Sequence, residues 1–211
     1  MTITDTDRIL AWKAQSLLLA YPGDHLTSQW PLLRKTSAVL PRALGTPLRL
    51  FCDHAEHRDP LDLAADYVAT FDHHKRFSPY LTYFAYGDTR KRGVALLRFK
   101  HTYRAAGMIL SDDELPDHLA VVLEFAATAD PAAGQRLLVE HRAGLELLRL
   151  GLHEISSVWA HVLDSVSATL PDLGRNEHDA IAALAAQGPP EEEVGLAPFG
   201  PPEYMPHGGS R

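Results

Sequence analysis

The tightest constraint on this chain is a repeated two-residue punctuation, a polar side chain followed by proline, at Thr46-Pro47, Asp59-Pro60, Ser78-Pro79 and Asp130-Pro131. Proline has no backbone N–H, so it suits the first position of a helix, where that N–H would have no partner anyway. The polar side chain before it accepts from one of the orphan donors of the first turn. Apolar residues at helical spacing follow each pair, so all four read as helix starts.

Periodicity supplies the remaining helices. Leu10, Ala14, Leu17, Leu18 and Tyr21 share one face, which Pro22-Gly23 ends. Leu32, Leu33, Thr36, Val39 and Leu40 form a second face, closed by Pro41. Leu63, Tyr67, Val68 and Phe71 line the helix after Asp59-Pro60. Asp88 is placed to cap a long helix carrying Leu96, Phe99, Tyr103 and Ala106, ending at Gly107. Leu119, Val122, Leu123 and Ala126 mark the next helix. The Leu- and Ala-rich stretch from Pro131 to about Leu170 reads as two helices broken near Gly144 or Gly151, and 177–187 as a short last one. No run alternates as a strand would, and no hairpin dipeptide separates apolar runs. The expected fold is all-α, a single-domain bundle of eight or nine helices over residues 1–187. Residues 188–211 are rich in Pro and Gly, with Glu191-Glu192-Glu193 in one block, and read as a disordered tail.

Composition narrows the function classes. Hydrophobic residues make up 45% of the chain and charged residues 22%, enough apolar material for a core in a soluble protein. The net charge of −7 opposes nucleic-acid binding except at a local basic patch. The single cysteine, Cys52, rules out an intramolecular disulfide and fits a reducing compartment. The first residues do not read as a secretory signal, and no apolar run approaches the roughly 18 residues that span a bilayer. The expectation is a cytoplasmic protein without direct membrane insertion.

Catalytic signatures are missing from the sequence. It has no phosphate-cradling glycine loop and no Gly-x-Ser-x-Gly elbow. His54 and His57, beside Cys52 and Asp53, have helical spacing for a metal, but two ligands do not close a site, and a polar surface helix is the better reading. No metal is expected. Two charged groups stand out. Arg90, Lys91 and Arg92, continued by Arg98, Lys100 and Arg104, offer electrostatic contacts, read chiefly as the solvated face of an amphipathic helix. In the run Ser111 to His118, Asp112, Asp113, Glu114 and Asp117 exceed what capping of the following helix needs. Capping and recognition of a cationic peptide stand equally open there. His118 beside Asp117 is placed to titrate near neutral pH and tune the local field.

Several blocks in this order resemble one family. Phe71-Asp72, Tyr80-Leu81-Thr82-Tyr83, Gly87 to Gly93, Ala95 to Lys100, Tyr103 to Gly107, Asp113 to Leu119 and Val121 to Phe125 look like the NarJ family. The likeness is dense from about Tyr67 to Ala127. It implies an all-helical, TorD-like fold and a cytoplasmic assembly chaperone that is not an enzyme. The implied partner is the catalytic subunit of respiratory nitrate reductase, bound chiefly at its N-terminal leader-like segment. The chaperone would keep that subunit competent for iron–sulfur and molybdenum cofactor insertion before membrane docking. It would bind no cofactor tightly itself, and molybdenum cofactor biosynthesis proteins are further implied partners. The wider superfamily spells its acidic motif Glu-Pro-x-Asp-His. Here it reads Glu114-Leu115-Pro116-Asp117-His118, the NarJ-like variant. The expected peptide-binding residues are Glu114, Leu115, Pro116, Asp117 and His118, with Tyr67, Phe71, Tyr80 and Tyr83 lining a groove for an amphipathic helix. Glu114 and Asp117 would face basic residues of the leader. The alternatives are a TorD-like chaperone of another molybdoenzyme, a nucleic-acid-binding regulator using Arg90, Lys91 and Arg92, and a metal-dependent hydrolase using the histidines.

Overall fold

Two of the four polar–proline pairs begin helices. Asp59 accepts from the Leu61 N–H at 2.8 Å and opens Pro60–Phe71, and Asp130 accepts from the Ala133 N–H at 2.9 Å and opens Pro131–Glu140. The other two pairs do not. Pro47 lies inside the helix Arg42–Ala55, whose N-cap is Pro41. Burial of Leu44, Leu48, Phe51 and Ala55 on one stripe outweighs the cost of an interior proline, about 3 kcal/mol. Ser78-Pro79 instead leads into an extended segment in which Tyr80 pairs antiparallel with His118.

The computed structural model describes residues 2–87, 89–111 and 114–187. Asp88, expected as a cap, lies outside the described residues, as do Asp112, Asp113 and the stretch 188–211. The described helices are α1 (Asp5–Leu19), α2 (Asp24–Val39), α3 (Arg42–Ala55), α4 (Pro60–Phe71), α5 (Tyr83–Tyr86), α6 (Arg90–Ala105), α7 (Leu119–Thr128), α8 (Pro131–Glu140), α9 (Arg142–Glu154), α10 (Trp159–Thr169) and α11 (Arg175–Gln187). A 3₁₀ turn spans Lys75–Phe77. The fold is all-α, with more helices than expected. One addition is the single turn α5. Another comes from 131–170, which forms three helices instead of two. Gly144 and Gly151 do not break that stretch but sit inside α9, where a Cβ would come within 3.0 Å of Phe84 and Phe77 ring atoms respectively. They permit close packing, and the breaks fall at His141 and at Ile155–Val158.

The core lies where α1, α3, α7 and α10 meet. Trp12, Phe51, Phe125, Val122, Leu123 and Leu163 are almost wholly removed from water. Polar ties cross this centre. The Trp12 indole donates to Thr169 Oγ1 at 2.9 Å, and the Gln15 amide donates to Ser165 Oγ at 2.8 Å. Ser165 in turn donates to the Leu44 carbonyl at 2.9 Å. Each satisfies a buried polar group that would otherwise be costly to desolvate. Two expected faces are rotated. On α2 the buried set is Leu26, Trp30, Leu33, Ser37 and Leu40, leaving Leu32 and Val39 in solvent. On α1, Leu10 is exposed while Ala11, Ala14 and Leu18 are buried, and Tyr21, just past the helix end, is exposed as well.

Candidate functional site

The acidic loop is held against the segment after Pro79 by a short crossing of two chains. The Leu81 N–H donates to the Asp117 carbonyl and the Leu119 N–H donates to the Pro79 carbonyl, both at 2.9 Å. From the other side, the Tyr103 hydroxyl of α6 donates to the Pro116 carbonyl at 2.5 Å. Three hydrogen bonds from two separate elements, the segment 79–81 and α6, therefore fix the backbone of residues 116–119.

Asp117 is fully buried. Its Oδ2 accepts from the Thr82 N–H at 3.3 Å and from the Thr82 hydroxyl, and Arg92 Nη2 lies 3.5 Å away. Arg92 Nε also donates to Thr82 Oγ1 at 3.2 Å, and its guanidinium lies over the Tyr80 and Tyr83 rings, 5.3 and 5.9 Å from their centroids. Arg90 and Lys91 point to solvent instead. Asp117, expected to face a peptide, is thus the internal anchor of the loop. A carboxylate here is tolerable because an arginine and a hydroxyl compensate it.

His118 caps α7. Its Nδ1 accepts from the Ala120 N–H at 3.2 Å, and its ring meets Tyr80 edge-on at 5.1 Å. Burial holds the imidazole near pKa 4, the charges of Asp117 and Asp72 only partly opposing that shift. The expectation that it titrates near neutral pH is therefore corrected: desolvation wins, and the neutral ring is what leaves Nδ1 free to accept.

What remains accessible is a cleft of about 220 Å³ bounded by Ala20 and Tyr21 at the end of α1, Tyr80, Glu114, Leu115 and His118 on the crossing, and Ala120 and Val121 on α7. Glu114 is exposed, and Tyr21 and Leu115 are 54% and 42% exposed. Of the expected residues, Tyr80, Glu114, Leu115 and His118 come together in this cleft. Tyr67, Phe71, Tyr83 and Pro116 are buried behind it. Tyr67 and Phe71 belong to an aromatic cluster with Trp159, and the Tyr67 hydroxyl donates to the Leu19 carbonyl at 3.0 Å. Two contributors were not singled out from sequence. Tyr21 stands edge-on to Tyr67 at 5.7 Å; from sequence it reads only as the last apolar residue of the first helix face, just before Pro22-Gly23. Thr82 lies in one of the family-like blocks, but nothing local shows its role, which depends on Asp117 35 residues away.

The histidine and cysteine cluster does not assemble. His54 lies in the last turn of α3 and contacts Arg58 at 3.1 Å, while His57 falls in the turn beyond the helix. Cys52 is buried, and burial pushes its thiol up to about 11. Among the described residues no group of three or more His, Cys, Asp or Glu is placed to hold a metal ion, and no helix is long and apolar enough to cross a membrane.

Fold and cleft together define an all-α domain with an acidic, apolar-edged recess held by a buried ion-paired loop. The chain belongs to the nitrate reductase delta subunit family, whose model matches residues 37–164. It is 32% identical over 173 residues to the probable nitrate reductase molybdenum cofactor assembly chaperone NarJ of Bacillus subtilis, covering 82% of this chain and 94% of that protein. It is 30% identical over 152 residues to the molybdenum cofactor assembly chaperone NarJ of Escherichia coli K12, 71% of this chain and 64% of that one. It is also 39% identical over 166 residues to the nitrate reductase-like protein NarX of Mycobacterium tuberculosis H37Rv. There the match takes in 78% of this chain but spans only 25% of the length of NarX.

Proposed function

We propose that this chain is an assembly chaperone, not a catalyst, for the molybdenum-containing catalytic subunit of respiratory nitrate reductase. It binds the cofactor-free subunit in the cytoplasm, chiefly through that subunit's N-terminal leader-like segment. It keeps the client open for iron–sulfur and molybdenum cofactor insertion and delays membrane docking. The cofactor passes to the client and is not retained, and molybdenum cofactor biosynthesis proteins meet the complex.

One observation carries the reading: the cleft presents the exposed Glu114 beside the apolar surfaces of Tyr21 and Leu115. An amphipathic leader helix with a basic residue next to an aliphatic one matches that pattern, the apolar side chain filling the recess while the cation meets Glu114. The assembly-chaperone names of the Bacillus subtilis and Escherichia coli relatives support the client class.

Calorimetric titration of the nitrate reductase leader peptide tests it, with leader peptides of other molybdoenzymes as competitors. Binding should weaken with salt, and it should weaken again in Glu114→Gln and in Leu115→Ala. Equal affinity in the combined Glu114→Gln, Leu115→Ala variant would remove this cleft as the recognition element. Tighter binding of another enzyme's leader would change the client.

A further inference from the structure

We propose that the outer face of α6 is a second docking surface, one that takes an acidic amphipathic segment of polypeptide, independent of the leader-binding cleft. Helix α6 carries six cations, Arg90, Lys91, Arg92, Arg98, Lys100 and Arg104, and no carboxylate, in a chain whose net charge is −7. An ordinary solvated helix face intersperses acids with its bases, because like charges one turn apart destabilise it. This helix does not.

Arg92 turns inward to Asp117, and the other five cations are arranged around an apolar centre. At about 100° per residue, Arg90, Val94, Leu97 and Arg104 fall within roughly 80° of one another, opposite the buried Ala95, Phe99 and Tyr103. Val94 and Leu97 are 66% and 59% exposed on this stripe, with Arg98 at its edge. Arg98 reaches Glu140 of α8 at 3.3 Å in an exposed pair, while among the described residues Arg90, Lys91 and Arg104 have no ion-pair partner. Val94 and Leu97 therefore form the kind of small apolar centre that protein interfaces bury, and the flanking arginines the charged rim that selects an acidic partner.

Other polyanions fit less well. Nucleic acid would use the cations but gain nothing from two exposed aliphatic side chains, and the one ring on the stripe, the His101 imidazole, gives it a single small stacking platform. An anionic bilayer would accept the aliphatic pair, but two side chains give shallow insertion and the rest of the chain is acidic. An acidic helix with leucines on one face satisfies both halves of the pattern.

The test uses the full chain and a synthetic amphipathic helix of roughly 18 residues, with leucines on one face flanked by glutamates, read by fluorescence anisotropy. Binding should fall steeply with added salt. The charge-reversed variant Arg90→Glu, Arg98→Glu, Arg104→Glu should lose about tenfold or more in affinity, and Val94→Ser, Leu97→Ser should lose several-fold. Circular dichroism melts confirm that both variants, altered only at exposed positions, remain folded. A duplex oligonucleotide and vesicles containing phosphatidylglycerol serve as the other arms. Failure of the peptide to bind, binding unchanged in both variants, or tighter binding of the oligonucleotide or vesicles through the same residues would each overturn the proposal. Leader binding at the cleft, measured on the same variants, should be unchanged, so that failure here and failure of the cleft reading are told apart.

Discussion

Asp117 Oδ2 accepts both the backbone N–H and the hydroxyl of Thr82, across 35 residues of chain. With Arg92 beside it, this clasp fixes the acidic loop from within, so that the motif's most buried carboxylate serves the loop's position. The neighbouring Glu114, three residues earlier, is left to face solvent.

Asp117→Asn should therefore cost stability and not merely charge. Replacing a buried, arginine-paired carboxylate is expected to lower unfolding free energy by about 2–4 kcal/mol. Thr82→Val should cost about 1–2 kcal/mol. Urea denaturation of both and of the double variant should show a coupling above about 0.5 kcal/mol. Strict additivity would mean that the two side chains do not act as one unit.

Acid should loosen the start of α7. Burial depresses His118 from 6.5 to about 4, so the unfolded chain takes up a proton before the folded one does. The stabilisation is complete above pH 6.5 and is lost as pH falls from 6.5 toward 4, by up to about 3 kcal/mol. His118→Asn keeps a capping acceptor and removes the titration. Its stability should be flatter than that of the parent across this window, as thermal melts at stepped pH would show.

Core and cleft should separate cleanly. Phe71 packs against Tyr67 and Trp159, and Phe71→Ala should cost about 3–5 kcal/mol. Tyr21→Ala removes an exposed ring and should cost under about 1 kcal/mol while weakening leader-peptide binding. A Tyr21→Ala variant with full peptide affinity would take the segment after α1 out of the recognition surface.

A second buried acid holds α9 to α10. Glu146 accepts from Arg142 Nε and Arg149 Nε at 2.7 Å and from the Ser167 hydroxyl at 2.6 Å. Burial alone would raise its carboxyl, but Ser167, Arg149 and Arg142 more than offset this and hold it below the usual value of 4.5. Its contribution is present above pH 4.5 and is lost as pH falls through the lower folded-state value. Glu146→Ala leaves two arginines facing a buried gap and should cost about 3–5 kcal/mol by chemical denaturation.

How far the site was legible follows from the range of the interactions involved. The helix starts at Asp59 and Asp130 and the acidic excess before α7 are local patterns, visible because a cap acts within three residues. The start assigned to Thr46 failed because the stripe of Leu44, Leu48 and Phe51 found its partners on α10 and α2, and that burial kept the helix continuous through Pro47. The supposed breaks at Gly144 and Gly151 failed for a related reason, since only the approach of Phe84 and Phe77 shows what those glycines are for.

Sequence by itself determined that this chain is helical, that an acidic loop precedes α7, and that a basic helix precedes the loop. It did not separate Glu114 from Asp117, or Tyr80 from Tyr83, because residues close in the chain carry the same chemistry. Tertiary structure decided which of each pair meets solvent. Asp117 and Tyr83 turn inward to Thr82, Arg92 and the core, whereas Glu114 and Tyr80 line the cleft beside Tyr21. Burial is a property of packed elements, and the side chains that bury Asp117 come from segments that only the fold brings beside it.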